Sequence, residues 1–368
     1  MEEMEMDNEL ALKLVKHGGT FIFLNVPVGI EFGIDMKSWT TGDKFKGVKM
    51  IPPGPHFIFY NMKDKYGNEA PRSGFFHYFN ESEVLVKKWD TEAEDISTEE
   101  TDNFQCNLIE FDQFLGPYPF DIWKKWKPLS KHISERVIQK LTPQCKLIKS
   151  AMDFIPVEKK DNFGTKKRWS KGKTEEERQE DLLPELVPVS EMRIRFTDMP
   201  DRRYPKGASP AEITSHYLDS TYALNKMLSS CNSPVEFVGE IQFAFVCFLL
   251  GLNLEALEQW KKLIQLLCCC EKAMIRYTNM YSELITCLEV HLEEIPEDFL
   301  VDIVANNNVI YKSLRELFAT LRTLKNHVDG SLFCKADRFK QKLTTKFGWD
   351  FTNLEQEEDD EAPVVVEL

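Results

Sequence analysis

The apolar residues of this chain recur with one period in its first hundred residues and with another in its second half, and that change restricts the fold more than any motif does. Early on, short runs rich in aromatic and β-branched residues alternate with turn formers. The run FIFLNV at 21–26 is closed by Pro27 and Gly29, and comparable runs follow at 31–35, 47–51, 56–60, 74–79 and 84–89. Runs of this length bounded by Gly, Pro, Asn and Asp predict strands of a small antiparallel sandwich or barrel. Pro52-Pro53 and Gly54-Pro55 force a turn between two of them.

Beyond Trp89 the period lengthens. Phe104, Leu108, Phe111 and Leu115 stand four, three and four residues apart, which predicts one helical face ended by Gly116-Pro117, and a second helical stretch is predicted over 119–141, ended by Pro143. From residue 209 onward the pattern is helical throughout. Ser209-Pro210-Ala211-Glu212 carries the residues of a capping box with proline at the first helical position, and Ser233-Pro234-Val235-Glu236 repeats them. Apolar stripes then run through Leu254, Leu257, Trp260, Ile264 and Leu267, through Tyr281, Leu284, Leu288 and Leu292, through Ile310, Leu314, Leu317, Leu321, Leu324 and Val328, and through Leu332, Ala336, Phe339 and Leu343. Each helix buries a stripe and solvates the rest. With no fixed-period repeat, a compact bundle is expected rather than a solenoid. The fold class is therefore α+β, a β-rich N-terminal domain, sandwich or barrel, with closing helices over 1–155 followed by an all-α domain over 189–352.

Between them, residues 156–188 form a charged linker in which basic residues from Lys159 to Lys173 are followed directly by acidic ones. The tail, 353–368, is acidic and closes on Val364, Val365 and Val366.

The 368 residues carry a net charge of -14, which opposes binding to phosphate backbones or anionic membranes through a general positive field. No direct nucleic-acid or membrane partner is expected. The first ten residues are acidic, without the basic and apolar regions of a signal peptide, and the longest apolar run, 241–252, is too short to span a bilayer. The nine cysteines have no framework spacing, as befits reduced thiols in cytosol or nucleus.

Catalytic signatures are missing from the sequence. It contains no phosphate-binding glycine loop, no H-E-x-x-H, no C-x-x-C pair and no G-x-S-x-G elbow, and its seven histidines are scattered. Cys268, Cys269 and Cys270 on a helix would point about 100° apart and cannot share one tetrahedral ion, so they read as buried small side chains. No catalytic residue, cofactor or metal is expected. Trp349-Asp350-Phe351 reads as an aromatic cap on the last helices. Thr174, ahead of Glu175-Glu176-Glu177, sits in the context acidophilic kinases favour. The sharpest interaction feature is Val364-Val365-Val366, an apolar extended segment on a charged tether that suits strand addition to a partner's sheet edge.

Several blocks resemble the AAR-two family of splicing factors. Residues 27–57 (PVGIEFGIDMKSWTTGDKFKGVKMIPPGPHF) and 111–119 (FDQFLGPYP) are similar to its first domain; 208–224 (ASPAEITSHYLDSTYAL), 239–251 (GEIQFAFVCFLLG), 347–351 (FGWDF) and 362–368 (APVVVEL) are similar to its second. The resemblance implies a β-sandwich-like domain joined to a VHS-like helical domain. It also implies an assembly factor of the U5 snRNP, shared between cytoplasm and nucleus. Such a factor holds the RNase-H-like and Jab/MPN domains of the scaffold protein Prp-eight until a helicase replaces it. In that role the tail augments a partner sheet. Apart from the resemblance, a monomer is expected. Two other classes stay open on sequence grounds. One is a VHS-type adaptor with a basic groove for acidic peptides; the other is an enzyme with a site between the two domains.

Overall fold

The computed structural model describes residues 8–63, 69–97, 108–156, 186–295, 309–352 and 354. A short helix α1 (Asn8–His17) leads into a sandwich of two five-stranded sheets. Its strands are β1 (Gly19–Leu24), β2 (Glu31–Ile34), β3 (Lys37–Thr40), β4 (Gly47–Ile51), β5 (Gly54–Asn61), β6 (Ser73–Phe79), β7 (Val84–Asp90), β8 (Asp95–Ile96), β9 (Leu115–Pro117) and β10 (Ile148–Lys149). One sheet has the order β8-β7-β1-β4-β9 and the other β10-β6-β5-β2-β3.

The second sheet is antiparallel throughout, as expected. The first is not, because β1 runs parallel to β7 and β4 parallel to β9. Parallel neighbours need a long crossover, and here four of the five strands between β1 and β7, namely β2, β3, β5 and β6, lie in the opposite sheet, while β4 lies against the other edge of β1. Leu115 consequently belongs to a strand, not to the predicted helical face. Only α2 (Leu108–Phe111) and a 3-10 turn (Asp112–Phe114) precede it, and Phe104 lies outside the described residues.

Between the sheets, Phe21, Phe23, Phe32, Phe79 and Trp89 form an aromatic core, with Phe21 and Phe32 stacked at 5.8 Å between centroids. Strand β5 is buried on both faces. Ile58 and Tyr60 join the sandwich core, whereas Phe57 and Phe59 join a different cluster on the outer face. Alternation along a strand sends neighbours to opposite sides, so a near-continuous apolar strand such as this has a covered outer face. Its cover consists of α3 (Trp123–Ser130) and α4 (Glu135–Leu141), together with helices of the second half. These replace the single predicted helix over 119–141, which is broken at 131–134, where the Ser134 hydroxyl caps α4 by accepting the Val137 N–H.

A two-stranded ribbon, β11 (Phe154–Pro156) against β12 (Leu186–Pro188), follows. The linker expected over 156–188 takes in Pro156 of β11 and all of β12, so both its ends are strand; its residues 157–185, Thr174 among them, lie outside the described ones.

The second half is helical: α5 (Pro210–Leu218), α6 (Thr221–Leu228), α7 (Glu236–Leu249), α8 (Leu254–Cys268), α9 (Glu271–Arg276), α10 (Thr278–Glu294), α11 (Val309–Thr323) and α12 (Gly330–Phe347). The Ser209 capping box forms in full, with Glu212 returning to the Ser209 N–H at 2.8 Å. The second predicted box does not form. Residues 233–238 are already turning through i to i+3 hydrogen bonds, and the Glu236 carboxylate is engaged by the Asn232 N–H and Arg136. The apolar stripes are buried as predicted except for Leu254, which stands at the first turn of α8 and is exposed. The α8 helix ends at Cys268, with Cys269 at its cap and Cys270 leading into α9, so the three cysteines do not lie on one helix. Gly348 ends α12 in the left-handed region at φ +69, the usual terminator of such a helix. Trp349 and Phe351 then fold back onto Tyr311 of α11. Among the described residues, no helix is long and apolar enough to cross a membrane.

Candidate functional site

The seam between the two halves is closed by α7. Phe243 of α7 stacks on Phe76 of β6 at 4.4 Å. Beside it on the same helix, the Gln242 side chain accepts the His132 N–H at 2.7 Å and donates to the Pro128 carbonyl at 2.8 Å. The backbone comes so close here that a Cβ at Gly239 would lie 2.1 Å from the His132 carbonyl oxygen, so only glycine fits. Around this seam Glu283 of α10 takes Lys131 at 2.6 Å and His132 at 2.8 Å. Arg72 donates to the Leu250 carbonyl, and Asn253 donates to that of Lys149. The two halves therefore share one continuous core.

Two clusters carry the residue types of catalysis, and both serve the fold. Asp35 occupies the tight turn between β2 and β3 at φ +53. Its carboxylate meets His56 Nδ1 at 2.7 Å, accepts the Tyr118 hydroxyl at 2.6 Å and accepts the Phe57 N–H. The other imidazole nitrogen meets the Pro52 carbonyl at 2.7 Å. All polar atoms of this fully buried pair are engaged within the protein, and none is offered to a substrate. Burial and the neighbouring Asp35 charge push the Tyr118 phenol far above its ordinary range.

In the helical half, Trp260 donates to His291 Nδ1 at 3.0 Å. Indole is only a donor, so the imidazole carries its proton on Nε2, which faces the Cys287 sulfur at 3.4 Å. Burial lowers the His291 pKa to about 3 and raises that of the Cys287 thiol. A nucleophilic pair needs the reverse, a thiolate beside an imidazolium. Burial likewise raises the thiols of Cys268, Cys269 and Cys270. Among the described residues, no group of three or more His, Cys, Asp or Glu side chains could hold a metal ion.

What the surface does offer is apolar. On the β11–β12 ribbon Phe154 is 57% exposed, Ile155 51% and Val187 39%. Neighbours on a strand point to opposite faces, so both faces of the ribbon are open. A two-stranded ribbon also leaves backbone donors and acceptors free along its outer edges. Leu252 and Leu254 are also exposed, beside Asn253, which donates to the Lys149 carbonyl, and Glu255, which pairs with Arg193. The α5 helix has no buried residue and displays Tyr217 and Leu218. Sequence reading missed the ribbon because its three-residue strands flank a highly charged stretch; the apolar pairs Phe154-Ile155 and Leu186-Val187 at either end were the available signal. Val364, Val365 and Val366 lie outside the described residues.

Comparison with known proteins agrees with this two-part architecture. Residues 17–143 match the model of the AAR2 N-terminal domain, and residues 196–352 match that of the AAR2 C-terminal repeat region. The chain is 43% identical to "Protein AAR2 homolog" of Homo sapiens, over 100% of this chain and 98% of that protein. It is 34% identical to the protein of that name in Caenorhabditis elegans, over 93% of this chain and 97% of that one. It is also 23% identical to "A1 cistron-splicing factor AAR2" of Saccharomyces cerevisiae, over 79% and 81% of the two chains. The β-sandwich, the helical half and the seam that joins them are thus those of a chain that belongs to the AAR2 family.

Proposed function

We propose that this chain is a non-catalytic assembly factor in pre-mRNA splicing. It holds the RNase-H-like and Jab/MPN domains of the scaffold protein Prp-eight during U5 snRNP assembly, before the helicase takes its place. The observation that carries this reading is the likeness to the AAR2 proteins over the entire chain, which includes a relative named as a splicing factor. The surface chemistry supports it. The Asp35–His56 and Cys287–His291 clusters are consumed by the fold, while exposed apolar groups gather on a ribbon with open strand edges.

On this reading, two surfaces act together. The rigid platform and the ribbon take the folded domains, and Val364, Val365 and Val366 add a strand to a partner sheet. Linking separate weak contacts raises the effective concentration of each, so binding is tight yet released stepwise. Phosphorylation of Thr174 would place nearly two negative charges in the segment between the ribbon strands and bias release. The protein works as a monomer shuttling between cytoplasm and nucleus.

The test is a titration against a purified RNase-H-plus-Jab/MPN fragment, using the full chain and a chain ending at Glu361. Tight binding weakened by the truncation supports both the role and strand addition. Tight binding unaffected by it keeps the role and discards the tail. No binding removes the proposal. Thr174→Glu with unchanged affinity removes the phosphorylation step.

A further inference from the structure

A groove of about 360 Å³ runs between α10 and α12. Its floor is apolar, formed by Leu292, Phe339, Leu343 and the half-buried Phe347. Along one rim stand Arg338, Lys342 and Lys346, at positions i, i+4 and i+8 of α12 and therefore in a single row. The other rim carries Glu289 and Glu293. Lys342 pairs with Glu289, and Lys346 donates to the Leu292 carbonyl at 3.0 Å and to that of Glu293 at 3.3 Å. Arg338 makes no ion pair with a described residue. The helix that supplies this row has five basic residues and one acidic residue between Gly330 and Phe347, in a chain whose net charge is -14.

The segment that complements this groove lies just beyond it in the sequence. After Phe347 the chain folds back through Trp349 and Phe351, and Leu354 packs on the bundle core. From there residues 355–368 hold seven acidic side chains and no basic one, six of them before Pro363 and Val364-Val365-Val366. Ten residues separate Leu354 from Val364, a reach of up to roughly 33 Å. The stretch of α12 that lines the groove, Arg338 to Phe347, rises only about 14 Å. A tether this short supplies an effective concentration in the millimolar range, enough for a contact of modest intrinsic strength.

We propose that in the free protein this groove holds the chain's own tail, with the acidic residues along the Arg338–Lys342–Lys346 row and Val364, Val365 and Val366 on the apolar floor. The contact shelters an apolar strand that would otherwise be exposed to aggregation, and any partner that takes the tail must first withdraw it from the groove. The inference shares the tail with the function proposed above but not the partner, because its test needs none.

The experiment follows the backbone 15N–1H signals of Val364, Val365 and Val366 in the full-length chain, alone in solution. A docked tail gives signals as broad as those of the folded body at 0.1 M salt. They sharpen at 1 M salt, where the screening length falls from about 10 Å to about 3 Å, and in the double variant Arg338→Glu, Lys342→Glu. Sharp signals in the unaltered chain at 0.1 M salt overturn the proposal, because the tail is then free. Broad signals that neither salt nor the charge reversal releases also overturn it, because the tail is then held elsewhere. Salt and substitution report independently, so a variant that fails to fold leaves the salt series to decide.

Discussion

Gln242 reaches across the seam to His132, accepting its backbone N–H at 2.7 Å from a position 110 residues further along the chain. The same side chain donates to the Pro128 carbonyl, so one amide satisfies an acceptor in the last turn of α3 and a donor of the loop that follows it. Gln242→Leu would leave both part-buried groups without this partner, a loss of at most about 1–3 kcal/mol for each. Gly239→Val, one turn away, would drive a side chain into the His132 carbonyl and should unseat the loop altogether. Urea unfolding followed by tryptophan fluorescence and by helical circular dichroism should show both probes moving to lower denaturant together. Separate transitions would mean that the seam does not couple the halves.

Glu240 is almost fully buried, accepts the Thr197 N–H and hydroxyl at 2.7 Å each and faces Lys140 at 3.5 Å. It thereby pins residues 193–199 to α7. Glu240→Ala leaves the half-buried Thr197 N–H and hydroxyl without this acceptor, a loss of about 1–3 kcal/mol. Glu240→Gln keeps an acceptor for the Thr197 N–H and should cost less. Equal melting temperatures for the two variants would argue against the charge having this role.

Acid should weaken the protein through His291. Its folded-state pKa is lowered to about 3 by burial, against about 6.5 for an unfolded chain. Below pH 6.5 the unfolded state takes up a proton that the folded state refuses, so stability is full above that pH and declines as the pH falls from 6.5 toward 3. The loss approaches about 1.4 kcal/mol per pH unit in that window. His291→Gln keeps an acceptor for the Trp260 N–H but does not titrate, and it should flatten the melting temperature between pH 6.5 and 4. An unchanged slope would place the acid sensitivity in other groups.

The ribbon should matter to binding and little to folding. Phe154 and Ile155 are more than half exposed, so Phe154→Asp with Ile155→Asp should change stability by no more than about 0.5 kcal/mol per site. If the ribbon is a central contact for the scaffold fragment, the pair should weaken binding by roughly thirtyfold, the size of a hot-spot loss of about 2 kcal/mol. Unchanged affinity would remove the ribbon from the interface.

Sequence alone determined the order of the two halves, the α+β class and nearly every buried position of the helices, because an amphipathic stripe and a capping residue are local signals read within a few turns. The Ser209 box and the rows through Leu284 and Leu314 needed no knowledge of what they pack against. Tertiary structure decided what depends on distant partners. It made Leu115 a strand beside β4 rather than the end of a helical face, and it denied Ser233 its box because Glu236 had already been taken by Arg136 and the Asn232 N–H. It also joined the two halves into one body. A stripe says that a face is buried but not against which face, and neither the Phe76–Phe243 stack nor the fit of Gly239 on His132 exists until segments far apart in the chain are brought within van der Waals distance.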